Sequence, residues 1–469
     1  MTQDRLLDSE SPQEEKLDFK KILPIFVIVF VDLLGLTIII PLLPLYATSF
    51  GADPFLIGVL GAAYPLMQFI GAPVLGRFSD RLGRKPVLIV SQIGTFTGFL
   101  LLGFAHGLWL LFLARIVDGI SGANISTAQA AISDSTSEET RTQGLGLIGA
   151  AFGLGFIIGP VIAFISLAAT NNNYHVPAFV AAVLSLISIL LTSFWLEETL
   201  DRNEGGEQQE QAALSLQRMW RAARNPAVGI LVLLMFAQQL AFGGFEQILS
   251  LFTLSRLGLN ASGNAVIFVF VGVIVVAVQG GFIGKWSRRY GDRKLILAGL
   301  GLLAVGLVSI AFTPERAVPW YERAALQAEL TSQGDGGLAA SSSTSTSDVP
   351  IELPEQGSAG WAGLGWILVA MVPVAIGGGI LQPAINSLIT KRSDPNKVGA
   401  MLGISASFLS AANAVAPLIG GALFSALGAT APFVAWGVLM AFLVGSALRL
   451  IAPDRQESTG AGAAGGVSH

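Results

Sequence analysis

The sequence contains no cysteine, which excludes disulfides, cysteine-ligated zinc, iron–sulfur clusters and thiol catalysis. It is also poor in charge: Asp, Glu, Lys and Arg make up 12% of its 469 residues, against about 25% in a soluble domain. So few charges cannot coat the two or three globular surfaces that a chain of this length would form. A formal net charge of −4, with no basic cluster interleaved with aromatics, excludes a nucleic-acid binder of the usual kind. Only three histidines occur, His106, His175 and His469, and none lies within a long apolar run. No nucleophile–base arrangement, metal-ligand spacing or phosphate-binding nucleotide loop is visible, so neither an enzyme nor an ATP-driven pump is expected, and no cofactor or metal.

What the chain has in abundance is apolar residue: 52% of it, with a mean hydropathy of +0.66. A membrane-crossing helix needs about 20 predominantly apolar residues. Twelve stretches qualify, here called spans 1 to 12: roughly 22–47, 55–76, 87–105, 107–131, 143–167, 175–196, 228–254, 262–284, 295–313, 361–390, 398–425 and 430–448. Their glycines and prolines fit spans better than soluble helices. The expected fold class is all-α, a polytopic membrane protein, with the lipid bilayer as its solvent.

Lys and Arg fix the expected orientation. Of the 27, 23 fall on the side that carries both termini; Arg256, Arg316 and Arg323 lie on the other side and Arg115 within span 4. The positive-inside rule then places both termini in the cytoplasm and the protein in the cell membrane. Residues 1–21 are acidic and polar and read as a solvated tail, with no cleavable signal peptide; residues 451–469 form a second tail. Between them lie six spans over 22–196, a polar linker over 197–227, and six spans over 228–450. Within the linker, Leu214–Arg224 combines Leu214, Leu216, Met219 and Trp220 with three arginines, which fits an interfacial helix and equally a plain surface helix. Residues 314–360, on the other side, hold a Ser/Thr run and seven acids against two arginines, and are expected to be disordered.

An internal repeat runs through the chain. Gly76-Arg-Phe-Ser-Asp80-Arg81-Leu-Gly83-Arg84-Lys85 is echoed 208 residues later by Gly284-Lys-Trp-Ser-Arg288-Arg289-Tyr-Gly291-Asp-Arg293. Gly146, Gly155, Gly159 and Pro160 of span 5 align with Gly403, Ala412, Ala416 and Pro417 of span 11 at an offset of 257. The chain is a duplicated six-helix unit.

These motifs resemble those of the major facilitator superfamily. The loop 76–85 is similar to its signature loop, Gly146-x8-Gly155-x3-Gly159-Pro160 to the helix 5 motif of its proton-coupled antiporters, and Arg115-x-x-Asp118-Gly119 to their helix 4 arginine motif. Asp32-Leu-Leu-Gly35 followed by Pro41-Leu-Leu-Pro44 resembles the twelve-helix drug/proton antiporters, especially the tetracycline-pump branch. The chain departs from that branch in having Gly98 for an acid in span 3, no histidine in span 8 and no acid in span 9; Asp118 stands where the helix 4 motif often has glutamine. The resemblance covers about 22–450. It implies two pseudo-symmetric bundles that rock about a midplane site, a small-molecule substrate, protons as the coupling ion, and a monomer. It also implies that Asp80, with Gly76, Arg81, Gly83, Arg84 and Lys85, latches the two halves inside, the carboxylate meeting the positive end of span 11 near Val398, and that Gly146, Gly155, Gly159 and Pro160 seal the cavity against proton leak.

Four charges fall inside the spans: Asp32, Arg115, Asp118 and Glu246. Each costs about 2.5–3.5 kcal/mol at a helix centre, so they should pair or line a wet cavity. Arg115 and Asp118, three apart on one face, are either a self-neutralising packing pair or a cavity group. Asp32 lies about 15 Å into span 1 at the α-helical rise; desolvation favours a neutral carboxyl, so it either carries a proton or is fixed by a hydrogen bond. Aligning the halves sets it opposite Gln239. Glu246, two turns on, is a second proton site, a cation-recognition acid, or a residue reaching to interfacial water. The amides Gln68, Asn124, Gln129, Gln239, Gln279, Gln382 and Asn386 are candidates for the cavity lining, though amides also join helices. A pocket of Phe, Leu and amides with one or two acids suits a neutral or cationic amphipathic molecule. The function expected is a proton-coupled exporter; a sugar or metabolite carrier of the same fold and a non-transporting membrane scaffold are the alternatives.

Overall fold

A computed structural model describes residues 19–122, 124–136, 140–200, 221, 224, 228–334, 350–392 and 398–450. The two tails and most of the linker, including the expected interfacial helix, lie outside the described residues. Among the described residues, eleven helices are long and apolar enough to cross a membrane. The remaining crossing, span 4, is made by two shorter helices, Leu108–Ser121 and Asn124–Asp134. The fold is all-α and polytopic, and large apolar side chains such as Ile93, Val183, Leu190, Val305, Val438 and Phe442 stay exposed on spans 3, 6, 9 and 12. Water does not tolerate so much contiguous apolar surface; lipid does.

The repeat seen in the sequence is physical. Gly83 and Gly291 hold equivalent turns at φ 111° and 78°, and Gly51 and Gly258 hold the turns that precede spans 2 and 8 at 78° and 64°. All four have the positive φ that glycine takes without strain. Spans 2 and 8 then start on side-chain caps, Asp53 accepting from Leu56 N at 2.8 Å and Asn260 from Gly263 N at 3.1 Å. Span 8 carries one π turn, Val278–Phe282, at Gln279-Gly280-Gly281.

Small residues let the halves meet. Gly58 of span 2 lies against the backbone of Pro417 and Gly421 in span 11, and Gly272 of span 8 lies against Phe156 O of span 5. The described hydrogen bonds between the halves cluster at the face opposite the termini: Ser250 Oγ donates to Pro41 O at 3.1 Å, and Asn172 and Tyr174 donate to Glu329. A single apolar core crosses between the halves there. On the termini's face the N-terminal half keeps a separate core built on Ile22, Ile25, Leu88, Ile132 and Ile148. The conformation is thus closed at the far face.

The expectation of disorder over 314–360 is corrected for the residues described. Arg323–Gly334 is a helix with Leu326 and Leu330 buried on one face, and Ala317, Val318, Ile351 and Leu353 are buried beside it. The segment is polar by composition yet keeps one apolar stripe, which is enough to seat it on a ready-made surface. Residues 335–349, with the Ser/Thr run, lie outside the described residues.

Candidate functional site

Span 1 brings Asp32 to a cavity inside the N-terminal half, lined also by Tyr64, Thr95, Phe99, Asp118 and Gly122, with Ile28, Val29 and Leu33 along one wall. Asp32 faces Gln92, whose amide nitrogen lies 3.4 Å from Asp32 Oδ2 and donates to Ser188 Oγ at 2.8 Å. Arg115 and Asp118 meet at 2.9 Å and are 5% and 2% exposed. The two charges form an ion pair, and Asp118 lines the cavity with Asp32. Arg115 lies 4.4 Å over the Tyr64 ring, a cation–π contact that steadies a desolvated guanidinium.

Glycines make this arrangement possible. A Cβ at Gly98 would sit 2.7 Å from Asp118 Cβ, and one at Gly119 would sit 2.6 Å from Tyr64 O. The missing side chain in span 3 is therefore the space that the Asp118 stem occupies. Gln68 donates to Gly122 O at 2.7 Å and its amide nitrogen lies 3.3 Å from Tyr64 Oη. Gly122 ends the first helix of span 4, so its carbonyl lacks the next helical turn, and Gln68 supplies the partner that apolar surroundings demand. Gln68, half-buried, thus ties span 2 to span 4. Gln129 is exposed, and the side chain of Asn124 lies outside the described residues.

Span 5 packs closely on span 1. Gly159 faces Thr37 of span 1, and Thr37 donates to Gly155 O at 2.9 Å, while Gly155 lies 3.5 Å from Leu33 Cβ when a Cβ is placed on it. Pro160 is buried and Gly146 lies in the first turns of the same helix. The span that carries Asp32 is thereby held tightly on its span 5 side. Gln279, at the π turn, approaches Gly153 of span 5.

At the termini's face, Asp80 pairs among the described residues with Arg84 at 2.6 Å and is 38% exposed. Arg84 is 5% exposed, pairs with Asp134 at 2.8 Å and donates to Ser79 Oγ at 3.0 Å. Gly76 and Gly83 are buried, Arg81 is exposed and Lys85 half-buried. The side chains at the start of span 11, where the contact near Val398 is expected, lie outside the described residues. Glu198, from the start of the linker, accepts from Arg84 N at 2.8 Å and Lys85 N at 3.2 Å, capping span 3 where its unpaired N–H groups carry partial positive charge.

In the C-terminal half, Glu246 is mostly buried on span 7. Four residues before it Phe242 packs on Gly378 of span 10, and the residue after it, Gln247, approaches Gly61 of span 2. Glu246 thus lies on span 7 between residues that touch spans 10 and 2. Gln239, on the same face, donates to Asn413 of span 11 at 2.8 Å. Gln382 is exposed and Asn386 half-buried, one and two turns beyond Gly378, the point where span 10 touches span 7. The structure thus separates the sequence-selected acids: Asp32 and Asp118 share one cavity, and Glu246 stands apart.

Reading the sequence alone missed Tyr64, Gln92, Thr95 and Glu198. The first three are ordinary polar residues in apolar runs, and only the packing of spans 1 to 4 shows their convergence. It missed Glu329 too, whose signal was available: an acid between Leu326 and Leu330 on the apolar stripe of a short helix.

Compared with known proteins, the chain matches the family description "Major Facilitator Superfamily" over residues 25–350 and 356–467. It is 28% identical over 396 residues to the tetracycline resistance protein, class B, of Escherichia coli, covering 84% of this chain and 86% of that protein. It is 25% identical to multidrug resistance protein 1 of Bacillus subtilis, covering 84% and 87%. Among solved structures, the human organic anion transporter MFSD10 (TETRAN) superposes with a TM-score of 0.63 at 22% identity, covering 92% of this chain and 100% of that one. The nucleoside transporter NupG does so with 0.69 at 12% identity over 92% and 100%. With its duplicated six-span halves, its signature loop and a family match along nearly its whole length, this chain belongs to the Major Facilitator Superfamily.

Proposed function

We propose that the protein is a proton-coupled antiporter that exports small amphipathic organic compounds by alternating access. The observation that carries this reading is the cavity in which Asp32 and Asp118 sit together, one held beside Gln92 and the other against Arg115. Two carboxyls in one low-dielectric cavity resist ionising together. A proton taken on one face is therefore retained until the cavity opens to the other. The kinship with tetracycline and multidrug resistance proteins supports the cargo class. The termini's face is the cytoplasmic one, as the Lys/Arg asymmetry argues, and the protein acts as a monomer in the cell membrane. Residues 22–196 and 228–450 are the two rocking bodies, and the described conformation is closed to the outside. Protons enter from outside onto Asp32, substrate leaves, and deprotonation inside resets the carrier. Glu246, between spans 7, 10 and 2, meets substrate or a second proton on the shared pathway.

The test uses purified protein in vesicles with an imposed pH gradient, screened against lipophilic cations and neutral drugs while proton flux is recorded. Counterflow of protons and drug is expected. Asp32→Asn is expected to abolish uphill export while leaving substrate binding measurable; undiminished uphill transport in that variant refutes the assignment.

A further inference from the structure

The segment between spans 9 and 10 belongs to neither the repeat nor the transport pathway, and the structure gives it a specific seat. It is tied to the body of the C-terminal half at several points: Val318 N donates to Leu257 O at 2.9 Å, Arg256 pairs with Glu315, and the Tyr321 ring covers Gly258; within the segment, Gly360 N donates to Ala317 O at 2.8 Å. Tyr321 Oη then donates to Pro354 O at 2.9 Å, joining the outgoing and returning strands of the segment. From that anchorage the helix Arg323–Gly334 reaches over the other half and packs on Leu43–Ser49, the short helix that ends span 1.

Glu329 lies on the buried stripe of this helix between Leu326 and Leu330. Its Oε1 accepts from Tyr174 Oη at 2.9 Å and its Oε2 from Asn172 Nδ2 at 3.2 Å, both in the N-terminal half; Oε2 also accepts from Asn260 Nδ2 at 3.3 Å in the C-terminal half. One carboxylate thus gathers donors from both halves at the face where they close. Asn260 is also the cap of span 8 and Tyr174 precedes span 6, so the bonds act on rigid helices rather than loop tips. Two further observations fit a built device. Asn172 takes a left-handed conformation, φ 57°, which a non-glycine residue adopts at a cost, and Tyr174 is fully buried with its ring edge-on to Tyr46 of the Leu43–Ser49 helix.

We propose that residues 313–334 and 350–360 form an outer strap in which Glu329 is the positioning residue that clasps the two halves and holds the carrier closed to the outside. This rests on the alternating-access reading but not on any cargo or coupling ion. Burial holds the Glu329 carboxyl above the usual carboxylate range, while the bonds from Tyr174, Asn260 and Asn172 pull it back.

The absence of native cysteine permits a direct test. A single cysteine at Gln247, beside Gly61 beneath the closed face, is labelled from outside intact cells with a membrane-impermeant maleimide, no substrate being present. Glu329→Ala is expected to speed labelling about tenfold or more, as loss of bonds to a charged group implies, and Tyr174→Phe to speed it less. An unchanged rate in Glu329→Ala, with the protein monodisperse in detergent, overturns the strap. Independently, Asn172→Cys with Glu329→Cys is joined by a short bifunctional methanethiosulfonate. Arrested turnover that a reductant restores supports the strap; undiminished turnover in the joined protein, or failure to join, overturns it. Labelling that appears only in inverted vesicles would refute the orientation instead, which keeps the two failures apart.

Discussion

Because a Cβ at Gly98 would fall 2.7 Å from that of Asp118, spans 3 and 4 meet around a buried ion pair with no slack for a larger residue. Overpacking of this kind costs about 1–3 kcal/mol. Gly98→Ala is accordingly expected to lower the thermal stability of the detergent-solubilised protein, whereas Gly301→Ala, where a Cβ meets nothing, should leave it unchanged; equal unfolding temperatures would count against this packing. Arg84 and Asp80 differ in the same way. Arg84 is 5% exposed and holds two acids, and Asp80 is 38% exposed with Arg84 as its described partner. Removing Arg84 should therefore destabilise the protein more than removing Asp80, since it strands two carboxylates and one of them, Asp134, is only 24% exposed. Glu198→Ala removes a charged cap from span 3 and should cost about 1 kcal/mol, read in the same unfolding assay.

Among the elements, the two halves are copies in outline but not in charge. Arg84 and Asp292 hold equivalent places after Gly83 and Gly291, and each binds the serine of its turn: Arg84 donates to Ser79 at 3.0 Å, and Asp292 accepts from Ser287 at 2.5 Å. Arg84 pairs with Asp134 at the end of span 4, and Asp292 with Lys391 at the end of span 10 at 2.7 Å. The anchor is the same and its polarity is reversed. The aligned loops show Arg288 in the place of Asp80, but this deeper exchange is not visible in the sequence, because the partners lie far along the chain. Spans 2 and 11 supply the tightest approach between halves. A side chain at Gly58 would meet the backbone of Pro417, which cannot swing aside. Gly58→Val is expected to bias the carrier away from the described conformation by about 5–150-fold, the range that 1–3 kcal/mol gives. Faster labelling of the Gln247 cysteine from outside would register the bias.

For the molecule as a whole, alternation requires that what is tied at one face be released at the other. The described conformation has its bonds between halves at the far face and Asp80 turned back onto Arg84. The latch at 76–85 should therefore engage only in the opposite state. Asp80→Asn is expected to reach the membrane in normal amount but to lose turnover, with labelling at Gln247 lowered because the outward-open state has lost its inner tie. Normal turnover in this variant would remove the latch from the cycle.

Twelve spans, their duplication and the list of intramembrane charges were legible in the chain itself, because a bilayer admits only backbone that satisfies its own hydrogen bonds and side chains that tolerate hydrocarbon. Those constraints act on each residue where it stands. Which acids share a cavity, that Gln68 bonds across to span 4, that span 4 breaks at Gly122, and that a polar outer segment is seated on the closed face were decided by the approach of helices far apart in sequence. Close packing fixes such approaches to within a methyl group, and the glycines that permit them declare their purpose only once the opposing backbone is in place.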